Sequence, residues 1–291
     1  MSQQLIDLAI SKSLPDTYVD QFLQFVAPMV DVWLDDTSSN SQSIWGIQGC
    51  QGSGKTTISE FIALYLQEKH QRVAAVCSID DFYLTKQERQ ELAAKVHPLL
   101  QTRGVPGTHD TGLINKAFTE FRSGQLKSVP FFNKAIDDRA PQDEWSSWDI
   151  EPSILIFEGW CVGISAQHSD QLDPPINALE SEQDSDGNWR AYVNNQLQAS
   201  YAEVFTELDR LLTIQAPSFD CVFNWRLQQE QQLAAKIEKT GGDASGVMSE
   251  EQVRHFISHY QRLTEHAFAN LSDLADATLM LNLDHSFASL T

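Results

Sequence analysis

One octapeptide constrains this chain more than any other feature: Gly49-Cys50-Gln51-Gly52-Ser53-Gly54-Lys55-Thr56, a complete G-x-x-x-x-G-K-[ST], followed by Thr57. It lies between an apolar run, Ile44 to Gln48, and a segment in which Ile58, Phe61, Ile62 and Tyr65 recur at i, i+3, i+4, i+7. A strand, a tight loop and a helix are therefore expected in that order. Glycines let such a loop curl until successive backbone N–H groups converge, and the helix N-terminus adds partial positive charge. The result is a cradle for phosphate oxygens, in which the Lys55 side chain reaches the β and γ phosphates and the Thr56 hydroxyl can sit on Mg²⁺. The expected nucleotide-binding set is Gly49 to Thr57. The motif alone does not separate kinases, GTPases and motor-type ATPases.

Four more short runs rich in Val, Ile and Leu follow: Val73 to Cys77, Ile154 to Phe157, Leu211 to Ile214, and Thr278 to Leu281. Continuous rather than alternating apolarity predicts strands buried on both faces. Helical spacing recurs at Ile114, Ala117, Phe118 and Phe121, and at Val253, Phe256, Ile257 and Tyr260, the latter opened by a Ser249/Gln252 capping box. Strands alternating with helices predict an α/β fold, a P-loop NTPase-type doubly wound parallel sheet of five strands with flanking helices and a helical lid. Residues 1–42 read as a helical segment, around Tyr18, Phe22, Phe25, Val26 and Met29, packing on a domain that spans 43–291. Within that domain the lid is expected at about 222–262, with Gly241, Gly242 and Gly246 at a mobile tip between Glu238 and Ser249. A stretch at about 167–190 holds six acids from Asp170 to Asp186, no basic residue among them, and Pro174 and Pro175; it reads as a solvated surface excursion.

Charge narrows the partners. Twenty Lys and Arg against forty Asp and Glu give a net charge of −20, a field that repels nucleic acid and anionic lipid. Neither is expected as a partner, and an anionic ligand must meet a local basic cluster or arrive with a metal. Four cysteines, spread singly as Cys50, Cys77, Cys161 and Cys221, spell neither a zinc knuckle nor a disulfide framework. The start lacks a basic segment followed by a long apolar stretch, and no apolar run reaches the ~18 residues of a membrane span. A cytoplasmic protein is expected.

Guanine-reading Asn-Lys-x-Asp is absent: Asn133-Lys134-Ala135-Ile136 and Asn115-Lys116-Ala117-Phe118 both lack the final Asp. The strand from Ile154 ends in Glu158-Gly159-Trp160, with one carboxylate where motor-type ATPases usually carry adjacent Asp and Glu. Past the second strand lies Ser78-Ile79-Asp80-Asp81-Phe82-Tyr83. Ligands of open α/β sheets bind beyond the carboxyl ends of the strands, so these acids should face the phosphates. A carboxylate there can accept the proton of a hydroxyl attacking the γ-phosphate, or it can merely cap the next turn.

These segments together resemble the phosphoribulokinase, uridine kinase and pantothenate kinase superfamily. Within it, Thr102-Arg103-Gly104-Val105-Pro106-Gly107-Thr108-His109-Asp110 is similar to a stretch of the D-glycerate 3-kinase branch, as are Phe132 to Pro141, Glu158 to Gly163 and Trp225 to Glu230. The resemblance implies an ATP- and Mg²⁺-dependent kinase of a small-molecule hydroxyl, with D-glycerate as preferred acceptor. By its motifs Asp80 is the base and, with Lys55 and Arg226, catalytic; Thr56, Glu158 and Asp80 hold the metal. Arg103 and His109 line the acceptor pocket, Lys134 and Arg139 bind the acceptor or the moving phosphoryl group, Asp81 and Tyr83 complete the substrate side, and Arg226 closes over the phosphates.

Plainer readings stay open for several of these. Arg103 can tie down its loop through carbonyls, His109 can be a cap or buried hydrogen-bonder, Lys134 and Arg139 can pair with Asp137 and Asp138, and Arg226 can be a helix-surface residue. Asn133 stands where the branch leads one to expect Asp, and the segment around Glu180 looks like an insertion. Both departures touch the acceptor side. Another acceptor (a nucleoside, pantothenate or a sugar phosphate) or an ATP-binding regulatory role are the rival expectations.

Overall fold

The computed structural model describes residues 2–36, 42–240 and 246–291. All five expected strands form, as β1 (Ser43–Gly49), β2 (Ala74–Ser78), β7 (Ile154–Gly159), β8 (Arg210–Gln215) and β9 (Ala277–Leu281). The labels between them belong to two-residue ladders: β3 (Ser128–Val129) pairs with β6 (Ser146–Ser147), and β4 (Phe132–Asn133) pairs with β5 (Asp138–Arg139). The main sheet has six strands, not the expected five, in the order β10-β9-β8-β1-β7-β2. The addition is β10 (Phe287–Leu290), antiparallel on the edge beside β9. Only its Phe287 is fully buried, so it carries no continuous apolar run by which a buried strand could be recognised.

Both faces of the sheet are covered, and the period of two decides which residue goes where. Along β7, Ile154 and Ile156 point to one face while Leu155 and Phe157 point to the other. The first face packs against α4 (Lys55–His70) and the N-terminal helices, α1 (Gln3–Ser11), α2 (Tyr18–Gln21) and α3 (Ala27–Asp35), the last two fused through a π turn at Phe22–Val26. Phe22 and Val26 are fully buried there, with the Phe22 ring 5.4 Å from Phe61 of α4. The second face packs against α6 (Thr111–Arg122), whose Ile114, Ala117, Phe118 and Phe121 are buried as their spacing predicts.

The acidic stretch is not the solvated excursion expected from its composition. It folds into α7 (Ala178–Gln183) and leads into α8 (Asn188–Gln196), and both Glu180 and Asp184 are fully buried. Arg262 donates to both Glu180 oxygens at 2.8 and 2.6 Å, and Arg190 donates to Asp184 at 2.9 Å. A buried carboxylate persists when it is paired and its remaining lone pairs are bonded. The Arg262 partner lies 82 positions along the chain, beyond the reach of a local composition argument. The exposed members, such as Asp170 and Asp186, do remain on the surface.

The segment expected to form a lid is a helical hairpin of α10 (Phe219–Thr240) and α11 (Glu250–Asn270). The Ser249/Gln252 capping box that opens α11 is formed in both directions. Gly241 and Gly242 of the expected tip lie outside the described residues. No helix among the described residues is long and apolar enough to cross a membrane.

Candidate active site

Parallel register brings the carboxyl ends of β1, β7 and β2 side by side: Ile47 is opposite Glu158, and Glu158 is opposite Ser78. Everything that follows those ends therefore converges on one edge of the sheet. After β1 the chain turns through Gly52 and Gly54, both at φ +82°, and enters α4 at Lys55. Gly52 is required twice over, since a Cβ would strain the left-handed backbone and would sit 2.8 Å from the Cβ of Trp225. Ser53 is buried with no partner for its hydroxyl, and burial pushes the Cys50 thiol up to about 12. The Thr56 hydroxyl donates to Glu158 Oε1 at 2.8 Å, while Glu158 Oε2 is buried without a hydrogen-bond partner. Burial raises the Glu158 acid, against the charge of Lys55.

After β2 the chain makes a 3₁₀ turn, Ile79–Phe82, in which the Ser78 hydroxyl accepts from the Asp80 amide at 3.3 Å. Asp80 emerges from this turn with both carboxylate oxygens engaged: Oδ1 accepts from the Tyr83 hydroxyl and Oδ2 from Lys134, each at 2.8 Å. Burial opposes ionisation here, but the Lys134 ammonium, the charge of Lys55 and the Tyr83 hydroxyl hold the Asp80 carboxyl down at about 2. Its neighbour behaves oppositely. Asp81 is pushed up to about 6 by burial and by the charge of Asp80, despite accepting the Phe132 amide at 3.2 Å. Two adjacent carboxyls are thus set far apart, Asp80 held toward its anion by Lys134 and Asp81 fastening the β4 segment.

Between the loop and the α10–α11 hairpin lies a cleft of about 820 Å³. Lys55, Thr56, Asp80 and Glu158 line it on the sheet side, and Arg103, Lys134 and Arg226 supply its cations on the far side, with Asp81 and Tyr83 also at its wall. These residues, singled out in the sequence, line one cleft. Two others are not brought into it. His109 is buried behind Tyr83, stacked on that ring at 4.5 Å, with Nδ1 2.6 Å from the Tyr201 hydroxyl. Burial lowers its imidazole to about 4, so it is a neutral packing and hydrogen-bonding group. Arg139 turns away to the Tyr83 carbonyl, 2.8 Å, and to Asp110, 3.3 Å. The remaining cations are paired: Lys134 with Asp80, Arg103 with Asp137, and Arg226 with Glu230. Trp160 is buried and donates to the Gly104 carbonyl at 2.9 Å, and it also lines the cleft.

A second cavity, about 520 Å³, lies across the loop from the first, bordered by Gly52, Thr57, Trp225, His285 and the segment from Lys12 to Tyr18. His285 Nε2 is 3.0 Å from the Gly52 carbonyl, and its ring lies 4.1 Å from that of Trp225. Neither Trp225 nor His285 was marked as a contact of the phosphate loop by the sequence. They reach it from α10 and from the turn before β10, and the only signal was that Trp225 opens the Trp-Arg-Leu-Gln-Gln-Glu stretch.

Comparison with known proteins agrees with this architecture. The family model of the phosphoribulokinase/uridine kinase family matches residues 44–174. An uncharacterized kinase of Schizosaccharomyces pombe is 35% identical over 226 residues, covering 75% of this chain and 78% of that protein. The chain belongs to the phosphoribulokinase/uridine kinase family. This kinase is also similar to a chloroplastic D-glycerate 3-kinase of Arabidopsis thaliana, 32% identical over 227 residues that make up 74% of this chain and 45% of the plant protein. A solved D-glycerate 3-kinase from Cryptococcus neoformans var. grubii superposes with a TM-score of 0.74 at 23% identity, over 94% of this chain and 98% of that one, which establishes the shared fold.

Proposed function

We propose that this kinase transfers the γ-phosphate of ATP to a hydroxyl of a small anionic acceptor, with D-glycerate as the preferred one. The observation that carries the proposal is the placement of Asp80 between two unlike ends of one cleft: the phosphate loop with Lys55 on one side, Arg103 and Lys134 on the other. The donor phosphates belong on the loop amides, with Lys55 at the β and γ positions and the nucleoside in the cavity beside Trp225 and His285. Mg²⁺ fits the pair formed by Thr56 and Glu158, because Glu158 keeps a buried oxygen with no protein partner. Bound there, the ion would neutralise charge on the phosphates. Arg226 reaches the same space from the lid once it exchanges Glu230 for phosphate.

Asp80 takes the proton of the acceptor hydroxyl. Held at about 2 by Lys134, it is a weak base in the free protein. An acceptor carboxylate that draws Lys134 toward itself restores the basicity of Asp80 only when an acceptor is present, which disfavours transfer to water. Arg103 offers the planar fork that suits a carboxylate, and Phe132 beneath it, 5.5 Å away, fixes its plane. Glycerate also accords with the similarity to two proteins named D-glycerate 3-kinase. A reducing, cytoplasmic setting suits the four buried, unpaired thiols.

The test is ADP release by the purified protein with Mg·ATP against D-glycerate, L-glycerate, uridine, pantothenate, ribulose 5-phosphate and no acceptor. Stimulation by D-glycerate above all others is expected. Stimulation by a different member of the panel would move the acceptor assignment, and release independent of any acceptor would favour an ATP-hydrolysing regulatory protein.

A further inference from the structure

Arg89 is the most buried cation in the neighbourhood of the cleft, 1% exposed, yet it does not line the cleft. It projects from α5 (Lys86–Lys95) and spends its guanidinium on a single residue, Asp137: Nη1 donates to Oδ1 at 3.2 Å, and Nη2 lies 2.7 Å from the backbone carbonyl and 3.0 Å from Oδ2. Asp137 sits in the turn between β4 and β5 with φ +56°, a left-handed conformation that Asp tolerates better than most residues. Its Oδ1 is shared with Nη1 of Arg103, which does line the cleft. Both guanidinium groups lie over the Phe132 ring, that of Arg89 at 5.6 Å and that of Arg103 at 5.5 Å from its centre.

The charges make sense as a chain. A buried Arg needs a carboxylate, and Asp137 supplies one while keeping enough exposure to serve a second cation. Burial works against Asp137 ionisation, but Arg89 and Arg103 together hold its carboxyl below the usual range. Arg103 thereby loses one end of its fork to Asp137, and its Nε and Nη2 carry no hydrogen-bond partner among the described residues. The same turn carries Lys134, which reaches Asp80, and the Lys86 amide ties its far side to Asp138 at 3.0 Å.

We infer that Arg89 and Asp137 are positioning residues for the acceptor: Arg89 fixes Asp137, and Asp137 aims the open edge of Arg103 at a carboxylate in the cleft. The inference rests on the reading of Arg103 as an acceptor-binding group. Neither residue touches the donor loop, so their loss should fall on one substrate only.

The experiment compares Arg89→Met, Asp137→Asn, Asp137→Glu and Arg103→Ala in the full chain, with KM for D-glycerate and for ATP and kcat measured separately. Asn keeps the left-handed turn while removing the charge, so Asp137→Asn stands in if Arg89→Met does not fold. Arg103→Ala should raise the D-glycerate KM by roughly 10- to 100-fold, the loss of a charge-assisted contact. Arg89→Met and Asp137→Asn should raise it about tenfold with the ATP KM unchanged, and Asp137→Glu should recover part of the loss. Arginine ¹⁵Nε NMR gives a readout that needs no acceptor: slow guanidinium rotation at Arg103 in the parent, fast rotation in Asp137→Asn. If Arg103→Ala raises the D-glycerate KM but Asp137→Asn and Arg89→Met do not, or if Arg103 stays equally restrained in Asp137→Asn, the positioning role is overturned and the site reading survives. If Arg103→Ala leaves the acceptor KM unchanged, the reading of Arg103 falls and the inference falls with it.

Discussion

At the proposed donor end of the cleft the groups offered to phosphate are backbone amides and one lysine, all carried by eight consecutive residues running from β1 into α4. At the proposed acceptor end the cations come from two distant segments, as Arg103 and Lys134, and each is already held by a carboxylate, Asp137 and Asp80. The first arrangement belongs to the backbone of one loop, and changing it means changing that backbone. The second is an exchange. An acceptor must replace or share an existing ion pair, so its binding energy is a difference between two similar terms, easily tuned by a neighbour. A family can keep one end and vary the other, and in this chain the departures from the glycerate kinase pattern, Asn133 and the stretch around Glu180, fall away from the phosphate loop.

Substitutions can break that contrast at graded strength. The largest effect belongs to the donor end: Lys55→Ala should lower kcat/KM for ATP by about 10³-fold, since no other side chain in the loop supplies charge to the β and γ phosphates. Calorimetric titration with a non-hydrolysable ATP analogue should show the loss on that side alone; an equal loss of acceptor affinity would mean the ends are not separable. Next comes the residue between the ends. Asp80→Asn should cut turnover by about 10²-fold or more while ATP affinity stays within about twofold, because the substitution removes a proton acceptor and keeps the shape. Turnover equal to the parent in a rapid-quench assay would remove Asp80 from the base role.

The smallest effect is one of stability and sharpens the division between adjacent acids. The Asp81 carboxyl lies at about 6, above the ~4 of a free Asp. Because the folded value is the higher one, the protonated acid favours the fold; that contribution is complete below about pH 4 and is lost as pH rises through about 6. Asp81→Asn, neutral throughout, should therefore match the parent in urea unfolding at pH 4 and exceed it by about 1–2 kcal/mol at pH 8. The same difference at both pH values would show that Asp81 ionises freely and that its bond to the Phe132 amide governs its role.

Legibility in the sequence followed the same divide. The phosphate loop, the five parallel strands and the buried faces of α4 and α6 could be read because each is written in contiguous or periodic residues. β10 escaped because an edge strand buries one face at most, and the burial of Glu180 and Asp184 escaped because Glu180 is paired with the remote Arg262 and Asp184 with Arg190, past the last acid of the run. At the acceptor end, residue types were legible and directions were not. Asp80, Arg103 and Lys134 reached the cleft, whereas the local pairing of Tyr83 with His109 turned the imidazole behind the wall, and Asp110 drew Arg139 away. Arg89 had no signal at all: in sequence it is one polar residue in a polar helix, and only the turn at Asp137 makes it the hub of a charge chain.

The central claim, direct transfer from a donor end to an acceptor end across Asp80, is tested most directly by ³¹P NMR of a reaction containing the protein, Mg·ATP and D-glycerate. The γ-phosphate signal should be replaced, mole for mole with ADP, by a single phosphomonoester, with inorganic phosphate at the level of an enzyme-free control. Conversion of the γ-phosphate to inorganic phosphate instead, at a rate indifferent to D-glycerate, would contradict it.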